Sequence, residues 1–134
     1  MIERLLIPLA GDALDERVLS LGIDLARQLG AAITGFIVEP FGGGAPADEV
    51  SLRAHAREVL GRFEERARAA GVPFEGHATQ SSDVSSAILA AAEAHRCDMI
   101  VMATHGRGRL AGMLGGSHTR DVLSRTRLPV LVLP

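Results

Sequence analysis

Apolar positions along the chain alternate between short continuous runs and longer stretches with helical spacing. The apolar runs predict five strands, at residues 4–9, 33–38, 73–78, 98–104 and 129–133. Spacings of three and four predict helices over 14–29 and 48–70, with Asp12 or Asp15 as a candidate cap of the first. They also predict a third helix capped by residues 81–83 and running to about 96, and a fourth from about 117. Strands and helices therefore alternate from the first predicted element to the last.

This alternation is typical of an α/β fold with a mostly parallel sheet, helices on both faces and right-handed crossovers. With 134 residues and 47% apolar positions, residues 1–134 are expected to form a single domain. Ligands of such sheets bind beyond the carboxyl ends of the strands, where the winding direction reverses. That rule selects residues 10–12 and 105–108.

Charge and composition exclude several classes of partner. A net charge of −2 and only four aromatic residues, all Phe, argue against a nucleic-acid partner. The chain contains no lysine, which excludes a P-loop and a Schiff-base enzyme. An anion would have to be held by arginine side chains and backbone N–H groups.

The remaining compositional signals concern location. The lone cysteine, Cys97, precedes an apolar run and is interpreted as a small buried residue. The charged start of the chain is unlike a signal peptide, and no apolar stretch approaches the roughly 20 residues that cross a bilayer. The chain is expected to be cytoplasmic, with no membrane partner.

Five glycines crowd residues 103–117, which read ATHGRGRLAGMLGGS between a predicted strand and a predicted helix. Glycines let backbone N–H groups approach an anion, and a helix N-terminus adds further donors and a positive dipole end. Arg107, Arg109, Ser117 and Thr119 add charge and hydroxyl groups. Two interpretations stay open on spacing alone: a phosphate site, or glycines that only turn the chain before a Ser117 cap.

The stretch MATHGRGRLAGMLGGSHTRDVL, followed by LPVLVLP, resembles the C-terminal signature of universal stress proteins. LLIPLAGD near the start and IVEP after the second predicted strand are similar to the N-terminal half of the same family, so the resemblance covers essentially the whole chain. It implies a Rossmann-like open sheet of five parallel strands in order 3-2-1-4-5. The ATP-binding branch carries the pattern G-x2-G-x9-G-[ST], which falls here on Ala103, Gly106, Gly116 and Ser117.

The resemblance also implies a ligand and the residues that bind it. The ligand is ATP, with or without Mg²⁺; the loop glycines and Ser117 wrap the phosphates, Arg107 meets them, and Ile37 and Met102 line the adenosine pocket. The full set of implied nucleotide-binding residues is Leu9, Ile37, Met102, Ala103, His105, Gly106, Arg107, Gly116, Ser117, His118 and Thr119.

Two positions depart from the family pattern. Ala103 replaces the first glycine of the motif, and Ala10 stands where the first strand usually ends in an aspartate that contacts the adenosine, with Asp12 two positions later. The leading hypothesis is a regulatory ATP-binding module of the stress response, non-catalytic or with at most weak hydrolysis and so not an enzyme. It is expected to act through a protein partner that the sequence does not identify. The alternative is a dimeric interaction module that binds no nucleotide.

The histidines supply neither a catalytic nor a metal site in this interpretation. His105 has no carboxylate nearby in sequence to orient it. His55, His77 and His95 stand alone and lack metal-ligand spacing, so no catalytic residue and no metal ligand is predicted.

The last predicted strand, at the sheet edge in the implied order, has no charged side chain. An uncharged apolar edge promotes aggregation unless it is covered. The simplest cover is the same strand of a second copy, and the resemblance implies the same dimer. The sequence therefore predicts a homodimer through Val130, Leu131, Val132 and Leu133.

Overall fold

A computed structural model describes residues 1–11, 14–39, 46–103 and 115–134 of the chain. Five strands and four helices alternate in these ranges, as the apolar pattern predicts. The elements are β1 (Arg4–Leu9), α1 (Leu14–Leu29), β2 (Ala32–Glu39), α2 (Pro46–Ala69), β3 (Phe74–Gln80), α3 (Val84–Ala94), β4 (Met99–Ala103), α4 (Gly115–Arg125) and β5 (Val130–Leu133).

The strands form one parallel sheet in the order β3-β2-β1-β4-β5, which confirms the predicted topology. β1 and β4 lie in the middle and are joined at their amino ends by Asp98, whose carboxylate accepts the backbone N–H groups of Glu3 at 2.7 Å and Arg4 at 3.0 Å. Chain winding reverses between these two strands. Among the described residues, no helix combines the length and apolarity needed to cross a bilayer.

The helices cover both faces of the sheet, and the sheet separates the core into two halves. On one face α1 and α2 bury a cluster that includes Leu5, Ile7 and Phe63; on the other, α3 and α4 bury one that includes Leu6 and Ile100. Consecutive residues of β1 thus enter opposite halves of the core. This explains why the central strands read as continuous apolar runs rather than alternating ones.

The start of α4 and the capping of α1 differ from the sequence prediction. α4 begins at Gly115 rather than near Ser117, so Gly116 lies in its first turn. Asp15, one of two candidate caps for the first helix, lies inside α1 instead, and the other candidate, Asp12, lies outside the described residues.

The start of α3 is as predicted: Asp83 is the N-cap of this helix and accepts the backbone N–H of Ser86 at 3.1 Å. The side-chain hydrogen bond from Ser86 is the main cause that holds the pKa of Asp83 below its usual value.

The interpretation of Cys97 as a buried residue is confirmed. Cys97 is 6% exposed, and burial raises the pKa of its thiol, as expected of a packing residue rather than a reactive one. The charged side of α2 is solvated and carries an i,i+4 ion pair between Arg68 and Glu64.

Two helical glycines offer a matched test of packing. A Cβ at Gly22 of α1 would lie 2.4 Å from Cδ1 of Ile7, which is fully buried, whereas a Cβ at Gly61 of α2 would meet nothing within 4 Å. Gly22→Val is therefore expected to lower the free energy of unfolding by about 1–3 kcal/mol through overpacking. Gly61→Val makes the same change in helix propensity and is expected to stay within about 0.5 kcal/mol of the parent. Urea unfolding of both variants measures the difference; equal stabilities would contradict close packing of α1 on β1.

Candidate functional site

The carboxyl edge of the sheet brings together three of the residues predicted to bind nucleotide. Leu9 pairs with Ile37, and the β1–β4 register, continued in step from Leu6 and Ile100, places Ala103 beside Leu9 on the other side. The side chains of all three pack on the α1/α2 face of the sheet. They form a short apolar row at the point where the winding reverses, which is where ligands of this architecture bind.

Met102 does not join that row. Its side chain is 5% exposed and belongs to the core cluster on the α3/α4 face, opposite to Leu9 and Ile37. Leu9 and Ile37 are also largely covered, at 5% and 7% exposure. Side chains of neighbouring strand positions alternate between faces, so one flat pocket wall cannot include both Met102 and Ala103 side chains.

The first turn of α4 supplies the polar part of the predicted site. Gly116 and Ser117 lie in that turn, followed by a half-buried His118 and by Thr119, which is 4% exposed. Because α4 connects two parallel strands, its N-terminus lies towards the carboxyl edge of the sheet. The first N–H groups of a helix lack intrahelical partners and carry a partial positive charge, which suits an anion.

Three of the predicted binding residues lie outside the described part of the chain. They are His105, Gly106 and Arg107, within the stretch 104–114 that separates β4 from α4. Their contribution to the site stays a prediction.

Asp15 lies at this edge and has a role that the sequence did not predict. Its carboxylate is 4% exposed and accepts the backbone N–H of Ala10 at 2.9 Å through Oδ1 and that of Gly11 at 2.6 Å through Oδ2. Asp15 thus holds the backbone that leaves β1, at the position where Ala10 replaces the aspartate of the family pattern. The available signal was a carboxylate six residues after the end of β1, which also fits a helix cap.

The backbone conformation of the turn held by Asp15 favours glycine at position 11. Gly11 has φ +82°, in the left-handed region, and a Cβ there would lie 3.1 Å from Nε2 of His55. His55, on α2, is therefore close to the end of β1.

Glu39, the last residue of β2, lies in a recess beside this edge. Its side chain is 7% exposed, and its Oε2 has no hydrogen-bond partner among the described residues. It lines a cavity of about 610 Å³ between α2 and β3, with Arg53 and Arg57 among the other lining residues. The recess therefore carries charges of both signs, and only the IVEP match pointed to this region from the sequence.

Comparison with known proteins agrees with this architecture. The family model described as "Universal stress protein family" matches residues 1–134. No curated protein shows significant sequence similarity to the chain. A solved protein of the universal stress protein family from Burkholderia pseudomallei is 24% identical, with a TM-score of 0.81 over 99% of this chain and 96% of the other.

Two further solved structures contain adenine nucleotides. The universal stress protein from Archaeoglobus fulgidus in complex with dAMP is 22% identical, with a TM-score of 0.75 and full coverage of both chains. A universal stress protein family protein from Arabidopsis thaliana with AMP bound is 16% identical, with a TM-score of 0.72 over 98% of this chain and 90% of that one. At these identities the likeness establishes a shared fold.

Proposed function

The chain belongs to the universal stress protein family, and from this premise we propose that it is a regulatory module that binds an adenine nucleotide. The observation that carries the proposal is the first turn of α4, with Gly116 and Ser117, on a helix whose N-terminus faces the carboxyl edge of the sheet. Related proteins of the same fold bind dAMP and AMP. The physical reason is that a helix N-terminus binds phosphate through free N–H groups and its dipole.

In this proposal the two ends of the nucleotide meet different surfaces. The phosphates lie at the first turn of α4 and meet Gly106 and Arg107, while the adenosine lies over the row formed by Leu9, Ile37 and Ala103. His105, Ser117, His118 and Thr119 complete the phosphate side, and Met102 supports the strand end from the opposite face. The physiological ligand is ATP, and Mg²⁺ enters with its phosphates.

The module is proposed to regulate rather than to catalyse. Among the described residues near the carboxyl edge, Asp15 already accepts two backbone N–H groups, so its carboxylate is engaged in holding the loop. We propose a cytoplasmic single-domain protein that works as a homodimer through β5 and signals through a further protein. β5 is an edge of the sheet and its four side chains are half-buried, which supports pairing with a second copy.

A second candidate function rests on two residues. Ala10 removes the carboxylate expected at the end of β1, and Ala103 replaces the first glycine of the phosphate motif. Loss of one charge-assisted hydrogen bond weakens binding by about ten- to a hundredfold. On this alternative the chain is a dimeric interaction module that binds no nucleotide.

Calorimetry and thermal unfolding with AMP, and with ATP and Mg²⁺, decide between the nucleotide-binding module and the interaction module. Ligand at a hundred times its dissociation constant adds about 2.7 kcal/mol of stability, which raises the unfolding midpoint by about 5–15 °C. Gly116→Val is expected to weaken binding by about ten- to a hundredfold, because its side chain occupies the space in which phosphate meets the helix N-terminus.

The matched control is Gly61→Val, which places the same side chain in α2, in space where a Cβ meets nothing within 4 Å. It is expected to bind nucleotide like the parent protein. If folded parent protein shows no response to millimolar AMP or ATP, the nucleotide-binding proposal is wrong and the interaction module replaces it. If Gly116→Val and Gly61→Val weaken nucleotide binding equally, the phosphate site is not at the first turn of α4.

A further inference from the structure

Three side chains with metal-binding atoms converge at the outer edge of the sheet. Glu75 and His77 lie on β3, and His95 follows α3. One ligand atom from each lies within 4.8 Å of the others, and Oε1 of Glu75 is 2.9 Å from Nε2 of His77. The two imidazole rings stack with centroids 4.0 Å apart and 19° between their planes. We call Glu75, His77 and His95 the histidine cluster.

The histidine cluster is built on regular elements rather than on a loose loop. Glu75 and His77 are alternate residues of β3, so their side chains leave the same face of the strand. β3 is held by its parallel pairing with β2, in which Glu75 faces Thr34 and His77 faces Phe36. His95 is the C-cap of α3, and its backbone N–H donates to the carbonyl of Ala91 at 2.9 Å.

We propose that the histidine cluster binds a divalent transition-metal ion of the zinc class. Two imidazoles and one carboxylate form a three-ligand set that leaves a fourth position of a tetrahedral ion open to water. Imidazole nitrogen favours Zn²⁺, Cu²⁺ and Ni²⁺ over Mg²⁺ and Ca²⁺, which prefer oxygen ligands. The proposal concerns a site separate from the nucleotide site and does not depend on it.

Such an ion fits once the three side chains rotate and the two imidazole rings leave their stacked arrangement. A tetrahedral ion with bonds of about 2.0 Å separates its ligand atoms by about 3.3 Å. The Glu75–His77 distance of 2.9 Å is slightly shorter than this value, and the 4.8 Å limit of the cluster is longer. Metal binding would replace the Glu75–His77 hydrogen bond and tilt the stacked rings towards a common point. The partial exposure of Glu75 and His77, 56% and 37% at the side chain, gives an ion direct access.

The charges around the histidine cluster act on a bound cation in opposite directions. His95 lies at the C-terminus of α3, where the helix dipole is negative, and Glu75 adds a full negative charge. The guanidinium of Arg4 lies 4.0 Å from Oε2 of Glu75 and opposes a cation. Arg4 is 33% exposed at the side chain and also donates to Oγ1 of Thr34 at 3.4 Å, so it can stay on that partner when an ion takes Glu75.

The site also has a structural consequence. A bound ion would connect β3, the outermost strand of the sheet, to the end of α3. The cluster lies towards the amino end of β3, because Glu75 is the second residue of that strand. The nucleotide site is proposed at the carboxyl edge, so the two can be tested independently.

Titration of the full chain with ZnCl₂, in the absence of nucleotide, tests the proposal by calorimetry and thermal unfolding. We expect one zinc ion per chain at the cluster and a higher unfolding midpoint with zinc. His77→Gln, His95→Gln and Glu75→Gln are each expected to lower the affinity at least about tenfold, since even indirect support of a metal ligand contributes this much. Substitution with Co²⁺ should give the intense visible absorption of a four-coordinate ion, and His77→Gln should abolish it.

The control is His55→Gln, which removes an exposed histidine on α2, outside the cluster. It is expected to bind zinc like the parent protein. Two outcomes overturn the proposal: no zinc binding by the folded parent up to about 1 mM, or an affinity unchanged by both His77→Gln and His95→Gln. Because Glu75 and His77 are partly exposed, their variants should keep the fold, and midpoints without zinc check this.

Discussion

Replacing Asp15 with alanine is expected to lower the free energy of unfolding by about 2–4 kcal/mol. The buried carboxylate accepts two backbone N–H groups, from Ala10 and Gly11, and a hydrogen bond to a charged group contributes about 1.5–3 kcal/mol. Its removal leaves both donors without this acceptor at the end of β1. The midpoint of thermal unfolding should fall by about 5–15 °C.

Asp24→Ala is the matched control, because it makes the same change in the same helix at an exposed position. It is expected to shift stability by no more than about 0.5 kcal/mol. A loss in Asp15→Ala as small as that in Asp24→Ala would mean that the two short hydrogen bonds do not hold the β1 end. If nucleotide binds as proposed, Asp15→Ala should also weaken the binding of AMP. The reason is that the turn after β1 borders the apolar row of Leu9, Ile37 and Ala103, over which the adenosine is proposed to lie.

The fold could be predicted from sequence because buried parallel strands and amphipathic helices leave different patterns. β1 and α1 match their predicted bounds, and the sheet order follows from the family resemblance. At β3 the prediction over 73–78 missed Thr79 and Gln80, which pair with Val38 and Glu39. Polar residues at a strand end carry no hydrophobic signal, and only the backbone pairing reveals them.

The site was less predictable because it depends on contacts between distant residues. His77 and His95 appeared isolated, since they share no local spacing, but the β3–α3 connection stacks their rings. Asp15 fitted a cap pattern equally well, and only its two bonds to Ala10 and Gly11 show what it holds. Met102 was assigned to the adenosine pocket from the resemblance, whereas alternation along β4 places its side chain on the opposite face from Leu9.

The second large effect is expected at β5, the edge strand through which the dimer is proposed to form. Ile100 donates its N–H to the carbonyl of Pro129 at 3.0 Å and is paired with Val130 in the parallel ladder. Alternate residues of a parallel strand bond to the same neighbour, so the N–H groups of Val130 and Val132 point away from β4. These outward groups are the ones that a second copy of β5 would pair with.

Val132→Pro is expected to convert the proposed dimer to a monomer, because proline removes the outward N–H and adds a ring at the pairing edge. Two-fold symmetry repeats the change in both copies, so two lost hydrogen bonds alone raise the dissociation constant by about 5–150-fold, and the ring adds steric exclusion. Proline is tolerated on an edge strand when its N–H faces outward, so the bonds from β5 to β4 should persist. Light scattering across a concentration series measures the change, with Val132→Thr as the control that keeps both the N–H and the β-branch. A monomeric parent protein at micromolar concentration would refute the dimer, and a dimer that survives Val132→Pro would place its interface elsewhere than β5.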